Sequence, residues 1–161
     1  MEKSLAVANE LIRYAIDAKN PPTQMKLQKL LFFAHGWNLA LFDGPLVDER
    51  FRAWKYGPVI PSVYHEFKSF GKRGIDRLGT EMVLGDEGIL FVSPLVKVTG
   101  DTPALLHKIW EVFGGFNGTQ LSDMTHKEGT PWYNAWVKSN YSGSAVINDE
   151  DIKKYFKSLR N

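Results

Sequence analysis

His35, His65, His107 and His126 are the side chains best suited to hold a metal or move a proton. None of them stands at a metal-binding spacing. His65-Glu66 begins like the helix of a zinc protease, but no second histidine follows to complete it. The chain has no cysteine, so it offers no thiolate ligand, no cysteine nucleophile and no disulfide framework. His35 lies in a largely apolar stretch and reads as a hydrogen-bonded core or boundary residue. His126, within Thr125-His126-Lys127-Glu128, reads as a polar turn contact. No serine occupies a Gly-x-Ser-x-Gly elbow, and Ser142-Gly143-Ser144 reads as a loop. No Gly-x-x-x-x-Gly-Lys phosphate loop is present. The adjacent acids Asp48-Glu49 and Asp149 to Asp151 suit a turn and a helix start rather than an acid–base pair. The expectation is therefore a protein that is not an enzyme, with no catalytic residue, no metal and no cofactor.

Binding chemistry is better represented. Lys26 and Lys29 fall on the polar edge of an otherwise apolar segment, and Arg52, Trp54, Lys55 and Tyr56 combine cations with aromatic rings. Such a set can stack on bases, grip a protein partner or simply fill a sheet core. Arginine beside aromatic side chains is what protein interfaces draw most of their energy from. Lys153, Lys157 and Arg160 mark the end of the chain with a second basic group. Twenty basic against eighteen acidic residues leave a net charge of only +2, so nucleic acid is not implied by charge alone.

These residues need a scaffold, and hydrophobic periodicity supplies it. A 161-residue chain with 43% apolar residues can bury about two-thirds of its unfolded surface. A first helix is predicted from Ser4 to Ala18, capped by Ser4 and stopped by Asn20-Pro21-Pro22. A second begins at Thr23 and carries Met25, Leu27, Leu30, Leu31, Ala34, Trp37 and Leu41 at helical spacing. Phe32, Phe33 and Leu39 widen that face until the helix must be central and buried on several sides. Asp43-Gly44-Pro45 should end it, with the glycine at positive φ. Residues 51–56 alternate as a short strand broken by Gly57-Pro58, and Pro61 starts a third helix edged by Val63, Tyr64, Phe67 and Phe70.

Glu81-Met82-Val83-Leu84 and Ile89-Leu90-Phe91-Val92 flank Gly85-Asp86-Glu87-Gly88, the pattern of a hairpin with a four-residue loop. Pairing of this hairpin with the strand near Trp54 would make one small sheet, and a flexible lid is the alternative. Helices resume after Asp101 or Thr102, after Thr119, after Gly129-Thr130-Pro131 and after Asn148, with Ala145-Val146-Ile147 as an extra strand. The fold class is α+β, predominantly α-helical: a compact helical bundle with a small antiparallel sheet or hairpin, spanning 1–161 as one domain. No apolar stretch is long enough for a membrane span, and acids and arginine interrupt the N-terminus against a signal peptide. A soluble, cytoplasmic protein is expected.

Thr23-Gln24-Met25-Lys26-Leu27-Gln28-Lys29-Leu30-Leu31-Phe32-Phe33-Ala34, then Gly36, Gly44-Pro45-Leu46 and Phe51-Arg52-Ala53-Trp54-Lys55-Tyr56-Gly57-Pro58-Val59, together resemble the Panacea domain. That family takes in SocA-like antitoxins and GepA-like prophage proteins. The clear resemblance covers residues 1–70. Thr125-His126 and Pro131-Trp132 echo it more weakly within 101–161.

The resemblance implies an antitoxin that neutralises a protein toxin by direct binding. For SocA-like members it also implies an adaptor delivering the toxin to a bacterial protease. The partners to expect are thus a cognate toxin and, if adaptor-like, a protease, with a homo-oligomer left open and no membrane. The expected contact surface is Arg52, Trp54, Lys55 and Tyr56 together with Lys26 and Lys29, with Trp54 anchored inward or at the boundary and Lys55 and Tyr56 at least partly exposed near the turn. A DNA-binding regulator of prophage or operon expression, and a metal-dependent hydrolase, remain the alternatives.

Overall fold

The computed structural model describes residues 1–143 and 145–160. The reading of Ser142-Gly143-Ser144 as a loop therefore falls outside the described residues at Ser144. The helices are α1 (Ser4–Asp17), α2 (Gln24–Phe42), α3 (Pro61–Glu66), α4 (Thr102–Phe113), α5 (Gly118–Thr125), α6 (Pro131–Lys138) and α7 (Asp149–Ser158). The strands are β1 (Arg52–Trp54), β2 (Gly57–Val59), β3 (Glu81–Gly85) and β4 (Gly88–Val92). The predominantly helical α+β class expected from the sequence is what is observed.

The second helix is the axis of the fold. Helix α2 packs against α1, α4, α5, α7 and β2. Its apolar residues Leu27, Leu30, Leu31, Phe32, Phe33 and Ala34 are all buried. Only its C-terminal end emerges: Leu41, expected inward, is exposed together with Phe42. One apolar cluster takes side chains from every described helix and from β1.

Leu30 has no exposed surface. Leu30→Asp would bury a carboxylate without a partner and should cost about 3–5 kcal/mol, enough to unfold a marginal domain. Thermal unfolding checks this, and an unchanged midpoint would place Leu30 outside the core.

Helix ends follow local chemistry where a cap lies next in sequence. Thr23, Thr130 and Asn148 accept backbone N–H groups of Lys26, Tyr133 and Glu150. Three expectations are corrected. Lys3, not Ser4, holds the N-cap position of α1; Ser4 lies inside the helix, where its N–H and Oγ both reach Asp48 Oδ1, at 3.1 and 3.2 Å. Asn117 replaces Thr119 as the cap of α5, in a reciprocal capping box with Gln120. Asp43, not Gly44, adopts the left-handed conformation that closes α2, at φ 60°.

The strands form two separate two-stranded antiparallel sheets rather than one. Gly57-Pro58 does not break the first strand but begins its partner. Arg52 pairs with Val59 and Trp54 with Gly57, leaving Lys55-Tyr56 as a two-residue turn. The chain around Val146 bridges the other edge of β1: Ala53 N–H donates to Ala145 O at 2.9 Å and Ile147 N–H to Phe51 O at 2.8 Å. This is an isolated bridge, not the extra strand expected. In the second hairpin Gly85 pairs with Gly88, so its loop is two residues and not four. No helix is long and apolar enough to cross a membrane among the described residues.

Candidate functional site

The polar residues of α2 are the first surprise. Lys26 and Lys29, expected on an exposed edge, are 5% and 1% exposed. Each polar side chain on the first half of α2 reaches the backbone of another element. Gln24 Nε2 donates to Tyr64 O at 2.9 Å. Gln28 Oε1 accepts from Ile60 N–H, also at 2.9 Å. Lys26 Nζ donates to Gly114 O and lies 5.1 Å from the Trp110 ring centroid. Lys29 Nζ donates to Pro58 O at 3.3 Å. These side chains fasten β2, α3 and the end of α4 to α2 because buried carbonyls require donors.

Gly57 explains why both halves of the sequence signature occur together. It sits at φ 116°, and a Cβ there would overlap Lys29 Cε and approach Nζ to 2.9 Å. The lysine reaches Pro58 only because residue 57 has no side chain. Burial alone lowers the Lys29 ammonium to about 7. Between that value and the ordinary lysine range, the unfolded chain holds a proton that the folded chain has released. Stability should therefore rise with pH from about 7 to about 10, by roughly 3–5 kcal/mol in total, and stay flat below. Lys29→Met should abolish that rise while leaving Pro58 O without its donor. Thermal midpoints measured from near neutral to alkaline pH for both proteins check this, and parallel curves would contradict it.

Arg52, Trp54, Lys55 and Tyr56 come together at the first hairpin. Phe51 and Ala53 point inward and are fully buried, Trp54 is half-buried, and Arg52, Lys55 and Tyr56 are exposed. The C-terminal half holds this turn by three successive carbonyls. Trp132 Nε1 donates to Trp54 O at 2.7 Å, and Ser122 Oγ donates to Tyr56 O at 3.0 Å. His126 Nε2 lies 3.2 Å from Lys55 O, with its ring 3.9 Å from that of Trp132. The echo at Thr125-His126 and Pro131-Trp132 is thus a clamp on the Lys55-Tyr56 turn. His126 makes the polar turn contact expected of it. His35 is buried, with Nδ1 near Val47 N–H and Nε2 2.9 Å from Asp149 Oδ1.

A cleft of about 990 Å³ opens beside this turn. Trp54, Lys55 and Tyr56 line it together with Lys72, Trp136 and Tyr141, residues from distant parts of the chain that no local pattern connects. Among the described residues no group of three or more His, Asp or Glu is placed to hold a metal. Three basic residues in and just after α7 are engaged within the protein. Lys153 and Lys157 lie 3.1 and 3.0 Å from Asp43 Oδ1, and Arg160 donates to Ala40 O at 3.3 Å.

The hairpin β3–β4 is the feature that sequence reasoning undervalued. Its register puts Met82 opposite Phe91 and Leu84 opposite Ile89, so the four share one face. That face is exposed, at 64% for Met82, 88% for Leu84, 59% for Ile89 and 71% for Phe91. Asn9, fully buried on α1, grips both ends of the hairpin. Its Nδ2 donates to Gly79 O at 3.1 Å and Pro94 O at 2.9 Å, and Gly79 N–H donates to its Oδ1 at 2.7 Å. The unbroken apolar run on both strands was the available signal, but it reads the same for a buried hairpin.

Fold and site together define a helix-dominated α+β scaffold, wound round one buried helix and presenting an apolar hairpin and a lysine-rimmed aromatic cleft. The chain belongs to the family described as antitoxin SocA-like, Panacea domain, whose sequence model matches residues 27–133. Antitoxin SocA of Caulobacter vibrioides (strain NA1000 / CB15N) is 36% identical over 128 residues, which cover 79% of this chain and 66% of that protein. The match thus spans just under two-thirds of the relative's length. No solved structure matches the chain.

Proposed function

We propose that the protein is an antitoxin that neutralises a cognate protein toxin by binding it directly, without catalysis. Family membership and the likeness to Antitoxin SocA support the antitoxin role. The observation that carries direct binding is the exposed face of Met82, Leu84, Ile89 and Phe91. It gathers four large apolar side chains, each more than half exposed, on one face, and contiguous exposed apolar patches of this kind are often functional. A two-stranded hairpin with a bare apolar face is marginal in water and gains from being covered. The Lys55-Tyr56 turn, with Arg52 beside it and Trp54 at its edge, forms the second part of the proposed contact surface. Lys29, buried against Pro58 O, supports that turn from beneath, while Lys26 is buried against Gly114 O and lies outside the proposed surface.

The test is co-expression with the protein encoded beside this one. Growth should be restored, and the two chains should co-elute as a stable complex on size-exclusion chromatography. Absence of rescue, or rescue without a complex, would contradict the proposal.

A further inference from the structure

The cleft beside the Lys55-Tyr56 turn carries information about what enters it. Trp54, Tyr56, Tyr64, Trp136 and Tyr141 give it aromatic walls. Lys29, Lys55 and Lys72 also line it, and among the described residues no aspartate or glutamate does. The starts of α2 and α5 meet at its edge, where Thr23, Gln24 and Met25 face Asn117, Gly118 and Thr119 across the same space. Gly118 makes that meeting possible, since a Cβ there would come within 3.1 Å of Lys26 N. Lys55 and Lys72, together with two helix N-termini and no carboxylate among the described lining residues, give the cleft a positive field, to which the buried Lys29 adds little.

The lining itself narrows the occupant. Lys55 and Lys72 suit carboxylates, and the rings of Trp54, Tyr56, Tyr64, Trp136 and Tyr141 suit an aromatic or large apolar side chain. A peptide segment carries both, and a simple anion carries only the first.

We infer that this cleft receives an extended acidic segment of the toxin, carrying an aromatic or large apolar side chain against the ring-lined walls. The inference rests on the antitoxin reading and adds the chemistry of the partner. The acidic side chains meet Lys55 and Lys72, and the apolar side chain lies against the aromatic walls.

The probe is a set of overlapping 15-residue peptides covering the neighbouring protein, labelled with fluorescein and followed by fluorescence anisotropy. Wild type, Lys55→Glu and Lys72→Glu are compared, with circular dichroism to confirm folding and toxin co-purification run in parallel. The bound peptides should be net negative and contain an aromatic or large apolar residue. Each charge reversal should weaken them at least tenfold, and so should added salt. The inference is overturned if the bound peptides are neutral or basic, or if both reversals leave affinity unchanged. It also falls if purine mononucleotides compete the peptides away, which would make the cleft a nucleotide site. No peptide binding, with intact toxin still co-purifying, removes the cleft inference and leaves the antitoxin reading standing. A wild-type protein that does not bind the toxin at all removes both.

Discussion

Gly36→Val should leave no native protein, although valine replaces a residue that is itself a poor helix former. Gly36 lies where α2 meets α7, and a Cβ at this position would overlap the ring of Phe156. That ring cannot retreat. It is 1% exposed and packs edge-on against Phe32 at 5.8 Å, Phe33 at 6.2 Å and Trp37 at 5.4 Å. Gly36→Ala gives the graded version of the same experiment. In an unobstructed helix the change from glycine would stabilise by about 1 kcal/mol. Here overpacking should reverse the sign, for a net loss of about 1–3 kcal/mol or more. Valine adds two further methyl groups and should exceed what a marginal fold tolerates. Gly36→Ala combined with Phe156→Leu should recover much of the loss, because the flat ring is the obstacle. Urea unfolding reads all four proteins. A Gly36→Ala variant as stable as wild type would contradict the packing described for α7.

The same glycine illustrates what a sequence displays and what it conceals. Periodicity made α2 legible as a helix buried all round, and nearest-neighbour chemistry made Thr23, Thr130 and Asn148 legible as caps. Those features are fixed by residues three or four apart. Lys26 and Lys29 were misplaced because the carbonyls that make their burial tolerable belong to Gly114 and Pro58. A lysine whose acceptor is thirty or ninety residues away looks like a lysine facing water. Asp48 reaching Ser4 from beyond α2 escaped notice for the same reason.

The candidate site divides in a similar way. Trp54, expected inward or at the boundary, lies at the boundary, and Lys55 and Tyr56 lie outside because they form the turn, not because of strand alternation. The pairing of Lys29 with Gly57, and the clamp from Ser122, His126 and Trp132, belong to tertiary structure and have no local signal. They also recast the signature. Much of what is recognisable in the sequence builds and fastens the scaffold. Hairpin β3–β4 lies in a region with no recognisable motif and presents the exposed apolar face.

That division leads to the second large effect. Leu84 and Phe91 are 88% and 71% exposed, so replacing both with aspartate should change folding stability little. In a complex the same side chains would be desolvated against the partner, where central apolar and aromatic anchors each contribute about 2 kcal/mol or more. The double replacement removes both anchors and brings two carboxylates into an apolar contact. Affinity should fall on the order of a thousandfold. The measurement is the dissociation constant for the cognate toxin by isothermal titration calorimetry, with the thermal midpoint of each free protein alongside it. The proposed function predicts that Leu84→Asp/Phe91→Asp keeps the wild-type midpoint, loses at least a hundredfold in affinity and no longer restores growth. A folded double variant that binds the toxin as tightly as wild type would contradict it.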